Sequence, residues 1–140
     1  MATRKILIDS DICLDAITSR ATFEKESAMI LQYSEDNVIY GVVSAESFSN
    51  MFYVLRKLSS SNKAIQQLTN LRRIVQIGEI TMAVIDQALR SDWGDFEDAI
   101  QYFCALESAC DAIVTRNRYD FRLSVIPVYS PTELISIINS

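Results

Sequence analysis

Three short stretches of the chain carry side chains able to do chemistry. Asp9, Asp11 and Asp15 follow the apolar run Ile6-Leu7-Ile8; Asp95, Glu97 and Asp98 follow a turn at Trp93; Thr115, Arg116, Asn117 and Asp120 follow an apolar run at 112–114. Carboxylates gathered in one crevice repel each other, and some stay protonated unless a cation neutralises them. Hard oxygen ligands with water favour Mg²⁺ or Mn²⁺. Such a metal activates water and stabilises charge on a phosphodiester without any imidazole. The chemistry indicated is metal-assisted hydrolysis of a phosphate ester. The sequence contains no histidine, which excludes Ser-His-Asp and Cys-His triads and His-ligated zinc.

Each acid also has a structural role open to it. Asp9 ends a strand and can cap the next helical turn, and Asp95 stands where a helix N-cap is needed. Asp98, in the first turn of that helix, suits the helix dipole; Asp11 and Asp15 read equally as surface acids at a helix start. Asp120 fits an Asx turn. The functional reading rests on their joint placement at strand ends.

The elements that would position them alternate between short β-like runs and longer helical patterns. Strands are expected at 6–8, 38–43, 74–77, 112–115 and 124–126. Helices are expected at 22–35, after the cap Ser44, at 63–71 and at 81–89. A further helix carries Ala99, Phe103, Leu106 and Cys110 on one stripe, and a short closing helix starts near Pro131. This order predicts an α/β fold: a single three-layer α/β/α domain over residues 1–140 with a mostly parallel central sheet. In such sheets the ligand crevice lies beyond the carboxyl ends of the strands.

Eighteen acids against thirteen bases give a net charge of −5, so a polyanion would be held by local cations and not by bulk charge. Arg116, Arg118 and Arg122 cluster beside the expected crevice. Cys13, Cys104 and Cys110 are an odd set without C-x-x-C spacing, read as buried reduced thiols of a cytoplasmic protein. No signal-peptide core and no membrane span is expected. Trp93 reads as a packing residue in preference to a base-stacking platform.

Three segments together carry a family resemblance: ILIDSDICLDAITSR, VVSAESFSNMFYVLRK and DFEDAIQYFCALESACDAIVTRNRYDF. The chain resembles the PIN-domain family over nearly its full length, most specifically the branch of small PIN proteins with an Asp-Phe-Glu-Asp-Ala helix start and a Val-Thr-Arg-Asn ending. The resemblance implies a PIN-like, Rossmann-like fold and a ribonuclease in which acids bind Mg²⁺ (or Mn²⁺) beside the scissile phosphate. It implies metal ligation by Asp9 and Asp98, with support from Asp11, Asp95 or Asp120. Asn50 falls where many members carry Glu, and Asn117 where many carry a fourth Asp; an amide coordinates or orients water but supplies no charge. Thr115 would hold a water, and Arg116 with Arg118 would contact RNA phosphate. Many small members are toxins of type II toxin–antitoxin pairs, so RNA, a cognate antitoxin protein and a second copy of the chain are the implied partners.

Two other readings are open. The Asn50 and Asn117 departures suit a PIN-like module that binds RNA or protein without cleaving. ILIDSDICLD also resembles the Asp-x-Asp opening of haloacid-dehalogenase-type phosphatases, with Asp9 as nucleophile. Against that reading, Cys13 stands where those proteins carry Thr or Val, and the chain has no room for their cap region.

Overall fold

The computed structural model describes residues 4–19 and 22–140. The chain's first three residues, and Arg20 at the end of the opening motif, lie outside the described residues. Five strands form one parallel sheet: β1 (Arg4–Ile8), β2 (Ile39–Ser44), β3 (Gln76–Gly78), β4 (Ala112–Val114) and β5 (Val128–Tyr129), in the order β3-β2-β1-β4-β5. The central strand β1 pairs with β2 on one side (Ile6 opposite Gly41) and with β4 on the other (Ile8 opposite Val114). The connection direction therefore reverses at β1, which is where an open α/β sheet leaves a crevice at its carboxyl edge.

The strands' period of two sorts their side chains onto two cores. Ile6, Ile8, Val43 and Val114 face one side, packed under α1 (Ser10–Thr18), α2 (Glu24–Glu35), α3 (Ala45–Leu58), α4 (Ser61–Arg72) and α7 (Pro131–Ile138). Leu7, Val42 and Ile113 face the other, packed with Tyr102 of α6 (Phe96–Glu107) and with Phe121 from the short 3₁₀ turn Arg118–Phe121. Next to them α5 (Met82–Arg90) closes against α6 through Val84, Ala88, Ala99 and Cys104. Burial on both faces explains why the strands read as unbroken apolar runs. Close approach to α2 explains Gly41: a Cβ there would stand 2.5 Å from Ser34 Oγ and 2.9 Å from Ile8 Cδ1.

Helix starts follow the capping rule closely. The side chains of Ser44, Ser60, Thr81, Asp95 and Ser130 each accept a backbone N–H of the first turn. Ser60 thus starts α4 at Ser61, two residues before the expected helix. Pro131 opens α7 behind a full Ser130–Glu133 capping box.

Three expectations need correction. The strand expected at 124–126 is absent; Val125 is 83% exposed, and Ser124 Oγ bonds the Ile126 carbonyl in a local turn. The ladder to β4 is made instead by residues 127 and 129, whose carbonyls accept the N–H groups of Ile113 and Thr115. The stripe assigned to the helix of Ala99 does not reach Cys110. Ala109 turns left-handed (φ 57°) and its N–H closes onto Leu106, ending the helix at Glu107. Asp15, expected at the surface, is fully buried. The cysteines are all free and buried, and Trp93 packs by stacking on Tyr102, with ring centroids 4.7 Å apart.

Candidate active site at the carboxyl edge of the sheet

Asp9 is the first residue past β1 and the N-cap of α1. Its N–H donates to the Val114 carbonyl of β4, which ties the two central strands together at the crevice. Its carboxylate is held from both sides: Oδ1 accepts from the Ser10 N–H at 2.8 Å and Oδ2 from the Thr115 hydroxyl at 2.8 Å. Burial nevertheless pushes the Asp9 carboxyl above its ordinary range, and the charge of Asp120 adds to that; Arg116 opposes it. Thr115 is fully buried, and its Oγ1 also accepts the Asn117 N–H at 3.0 Å. One hydroxyl thus connects the first acid to the loop after β4.

Asp11 lies two residues on, in the first turn of α1. Its Oδ2 accepts from Asn117 Nδ2 at 3.2 Å, while its buried Oδ1 has no hydrogen-bond partner. Burial, and then the neighbouring Asp9 charge, push its pKa up to about 7. Across the crevice, Asp95 caps α6 by accepting the Asp98 N–H at 3.0 Å. Asp98 is pushed up to about 6 by burial and by the charges of Asp95, Asp120, Asp9 and Glu97. Asp98 therefore feels Asp9 through space although 89 residues of sequence separate them. Asp95, Asp98 and Asp120 line one cavity of about 180 Å³ with Trp93 and Arg122.

The remaining expected residues are placed as follows. Asn50 is exposed on α3, one turn after Glu46 on the same face, and its amide offsets part of the upward push on the Glu46 carboxyl. Arg118 is exposed and pairs with Glu133 at 3.1 Å. Arg116 is pinned: its Nε donates to Asp15 Oδ2 at 2.6 Å and its Nη2 to Oδ1 at 3.3 Å, with the guanidinium 4.1 Å from the centroid of the Phe23 ring.

Two residues carry parts that sequence reasoning did not give them. The buried Asp15 holds Arg116 against the crevice wall. Glu46, in the first turn of α3, is raised by burial and then by the Glu97 charge, with Asp95 adding to it, so it shares a field with the start of α6. The signal for Glu46 was its i, i+4 spacing to Asn50.

The donor set is oxygen only: carboxylates, a hydroxyl and an amide. Mutual repulsion, together with the orphaned Asp11 Oδ1, fits a small hard cation. Among the described residues no three acidic or thiol side chains come close enough to enclose a metal by themselves.

A three-layer parallel α/β fold with acids placed just after β1, after β4 and at the start of α6 narrows the class, and a family model described as "PIN domain" matches residues 5–119. The chain belongs to the PIN domain family. "Ribonuclease VapC1" of Aquifex aeolicus is 21% identical over 122 residues, covering 84% of this chain and 85% of that protein. Among solved structures, DNA-bound VapBC from Salmonella typhimurium is similar with a TM-score of 0.71 and 12% identity, covering 92% of this chain and 99% of that one. A toxin–antitoxin complex from Klebsiella pneumoniae follows, with a TM-score of 0.68 and 19% identity, covering 90% and 97%.

Proposed function

We propose that this chain is a divalent-metal-dependent ribonuclease that hydrolyses RNA phosphodiester bonds as the toxin of a toxin–antitoxin pair. The observation that supports the reading is the buried Asp9 carboxylate at the sheet's carboxyl edge, held by the Thr115 hydroxyl, with a second set of acids, Asp95, Asp98 and Asp120, lining one cavity. Membership of the PIN family and the relatives' names, a ribonuclease and toxin–antitoxin complexes, support it.

In this reading Asp9 and Asp98 hold Mg²⁺ (or Mn²⁺), and Asp11, Asp95 and Asp120 support them with charge. The metal, when bound, supplies an activated water and stabilises charge on the phosphate. The chain's own residues do the positioning. Thr115 fixes the Asp9 carboxylate by donating to Oδ2 and, through its acceptor side, fixes the Asn117 backbone. Asn117 holds Asp11 in place of a fourth acid, and Glu46, one turn before Asn50 on α3, offers a carboxylate near the position where many members carry Glu. Arg118 and Arg122 offer exposed cations to the phosphate backbone; Arg116, neutralised by Asp15, shapes the wall.

The test is cleavage of single-stranded and structured RNA with Mg²⁺ or Mn²⁺. Asp9→Asn and Asp98→Asn are each expected to abolish cleavage while leaving the circular dichroism spectrum intact. Full activity in a chelator, or undiminished activity in both variants, overturns the assignment. A second reading, a PIN module that binds RNA without cutting it, is favoured by the amides at Asn50 and Asn117; RNA binding without metal-stimulated cleavage would select it.

The same reading gives the chain two partners: an antitoxin protein that silences it, and a second copy of the chain. Exposed Met82 and Leu89 on α5 support self-association, read by sedimentation. Among the described residues no helix is long and apolar enough to cross a membrane; we place the activity in the cytoplasm.

A further inference from the structure

Arg116 has a second surface. Beyond its contacts with Asp15 and the Phe23 ring, it forms one wall of a cavity of about 430 Å³ between the start of α2 and the start of α7. Thr22, Phe23 and Ser27 line it from one side, Ser130 and Thr132 from the other. Ser27 is fully buried, and its Oγ has no hydrogen-bond partner. Native structures satisfy nearly all such groups, so a buried lone hydroxyl on a cavity wall marks a place where an incoming polar edge gains a bond.

The charge balance decides what kind of edge. The Arg116 guanidinium is already spent on a buried carboxylate, and Glu26 adds a negative charge to the lining. A phosphate would therefore meet little net attraction. A neutral planar ring with a hydrogen-bonding rim suits the cavity better. Guanidinium planes and aromatic rings are the surfaces on which unpaired bases stack, and hydroxyls read their rims. The cavity and the crevice draw on neighbouring residues of one loop: Arg116, on the cavity wall, follows directly on Thr115, whose hydroxyl bonds Asp9.

We propose that this cavity receives one unpaired nucleobase of the RNA strand next to the scissile phosphate, its rim bonded by Ser27 Oγ and its face set against the Arg116–Phe23 pair. This deepens the ribonuclease reading and rests on it for the path of the strand past Asp9. The cavity then selects which nucleotide flanks the cut.

The test measures binding, so that it stands apart from cleavage. The full chain carrying Asp9→Asn is titrated against a fluorescent single-stranded oligoribonucleotide and against a series with one abasic nucleotide at each position. One abasic position is expected to weaken binding about tenfold, and that loss is expected to shrink below about twofold when Ser27→Ala or Phe23→Ala is added. Ser27→Ala keeps helix α2 intact, and Phe23 is partly exposed, so both variants are expected to fold. If no abasic position matters, or if the loss is the same in both added variants, the base pocket is refuted, and a partner protein's side chain becomes the occupant to seek. If the abasic signature holds but the protein with Asp9 intact cuts no RNA under any metal, the ribonuclease reading fails while the base pocket stands.

Discussion

Replacing Asp11 by Asn isolates the electrostatic cost of crowding acids at the sheet edge. Burial and Asp9 raise the Asp11 carboxyl from 3.8 to about 7. The folded protein therefore holds a proton that the unfolded chain has already released between those two values. Stability of the metal-free protein must fall as pH rises through that window, with the full penalty present above about 7 and none below about 4. A gap of that size corresponds to about 4 kcal/mol as an upper figure. Because Asp9 and Asp11 repel each other, part of the penalty belongs to the pair, and about 2 kcal/mol is expected to vanish with the single substitution. Urea unfolding in a chelator, followed by circular dichroism at pH 4, 6 and 8, reads this directly. Asp11→Asn should match the parent at pH 4 and exceed it by about 2 kcal/mol at pH 8. The Asn side chain still accepts from Asn117, so the loop contact survives. Parallel curves for the two proteins across the whole range would refute the idea that Asp11 is held out of its ordinary range by its surroundings.

Thr115→Val removes the donor to Asp9 and strands the Asn117 N–H; stability should drop by about 1–3 kcal/mol in urea titration, and cleavage should fall at least tenfold with the metal still bound. A cycle of Asp15→Asn, Arg116→Met and the double variant should show a coupling of about 2 kcal/mol, below that of a fully buried pair because Arg116 is partly exposed. Additive losses would deny the pair any joint role. Gly41→Ala should cost about 1–3 kcal/mol, read as a lowered thermal midpoint, because its Cβ would collide with Ser34 and Ile8.

The sheet and most helix starts were legible because their signals are local. Ser44, Thr81, Asp95 and Pro131 announce helices by chemistry that acts within one turn. β5 was misplaced because Ser124-Val125-Ile126 has good strand composition, whereas Pro127 lacks an N–H and β5 is only two residues long. Local propensity lost there to the position of β4, which takes its bonds from residues 127 and 129. Within the site, Asp9, Asp98 and Thr115 were visible as strand-end and helix-start residues. Asp15 was not, because its burial depends on an arginine 101 residues away. Glu46 was not legible because the family pattern places its carboxylate at position 50, while this chain carries one a turn earlier on the same helix face.

β4 lies inside the sheet, beside the central strand, but late in the chain. A polypeptide that stops before Ala112 leaves β1 as a bare strand edge, and Asp9 then lacks both the Val114 carbonyl that anchors its backbone and the hydroxyl that steadies its oxygen. The acid-lined crevice is thus finished last. A nascent copy still threaded through the machine that makes it holds its first acid in an unbuilt cleft, which closes only once the segment from Ala112 onward has emerged and wedged itself beside the oldest strand.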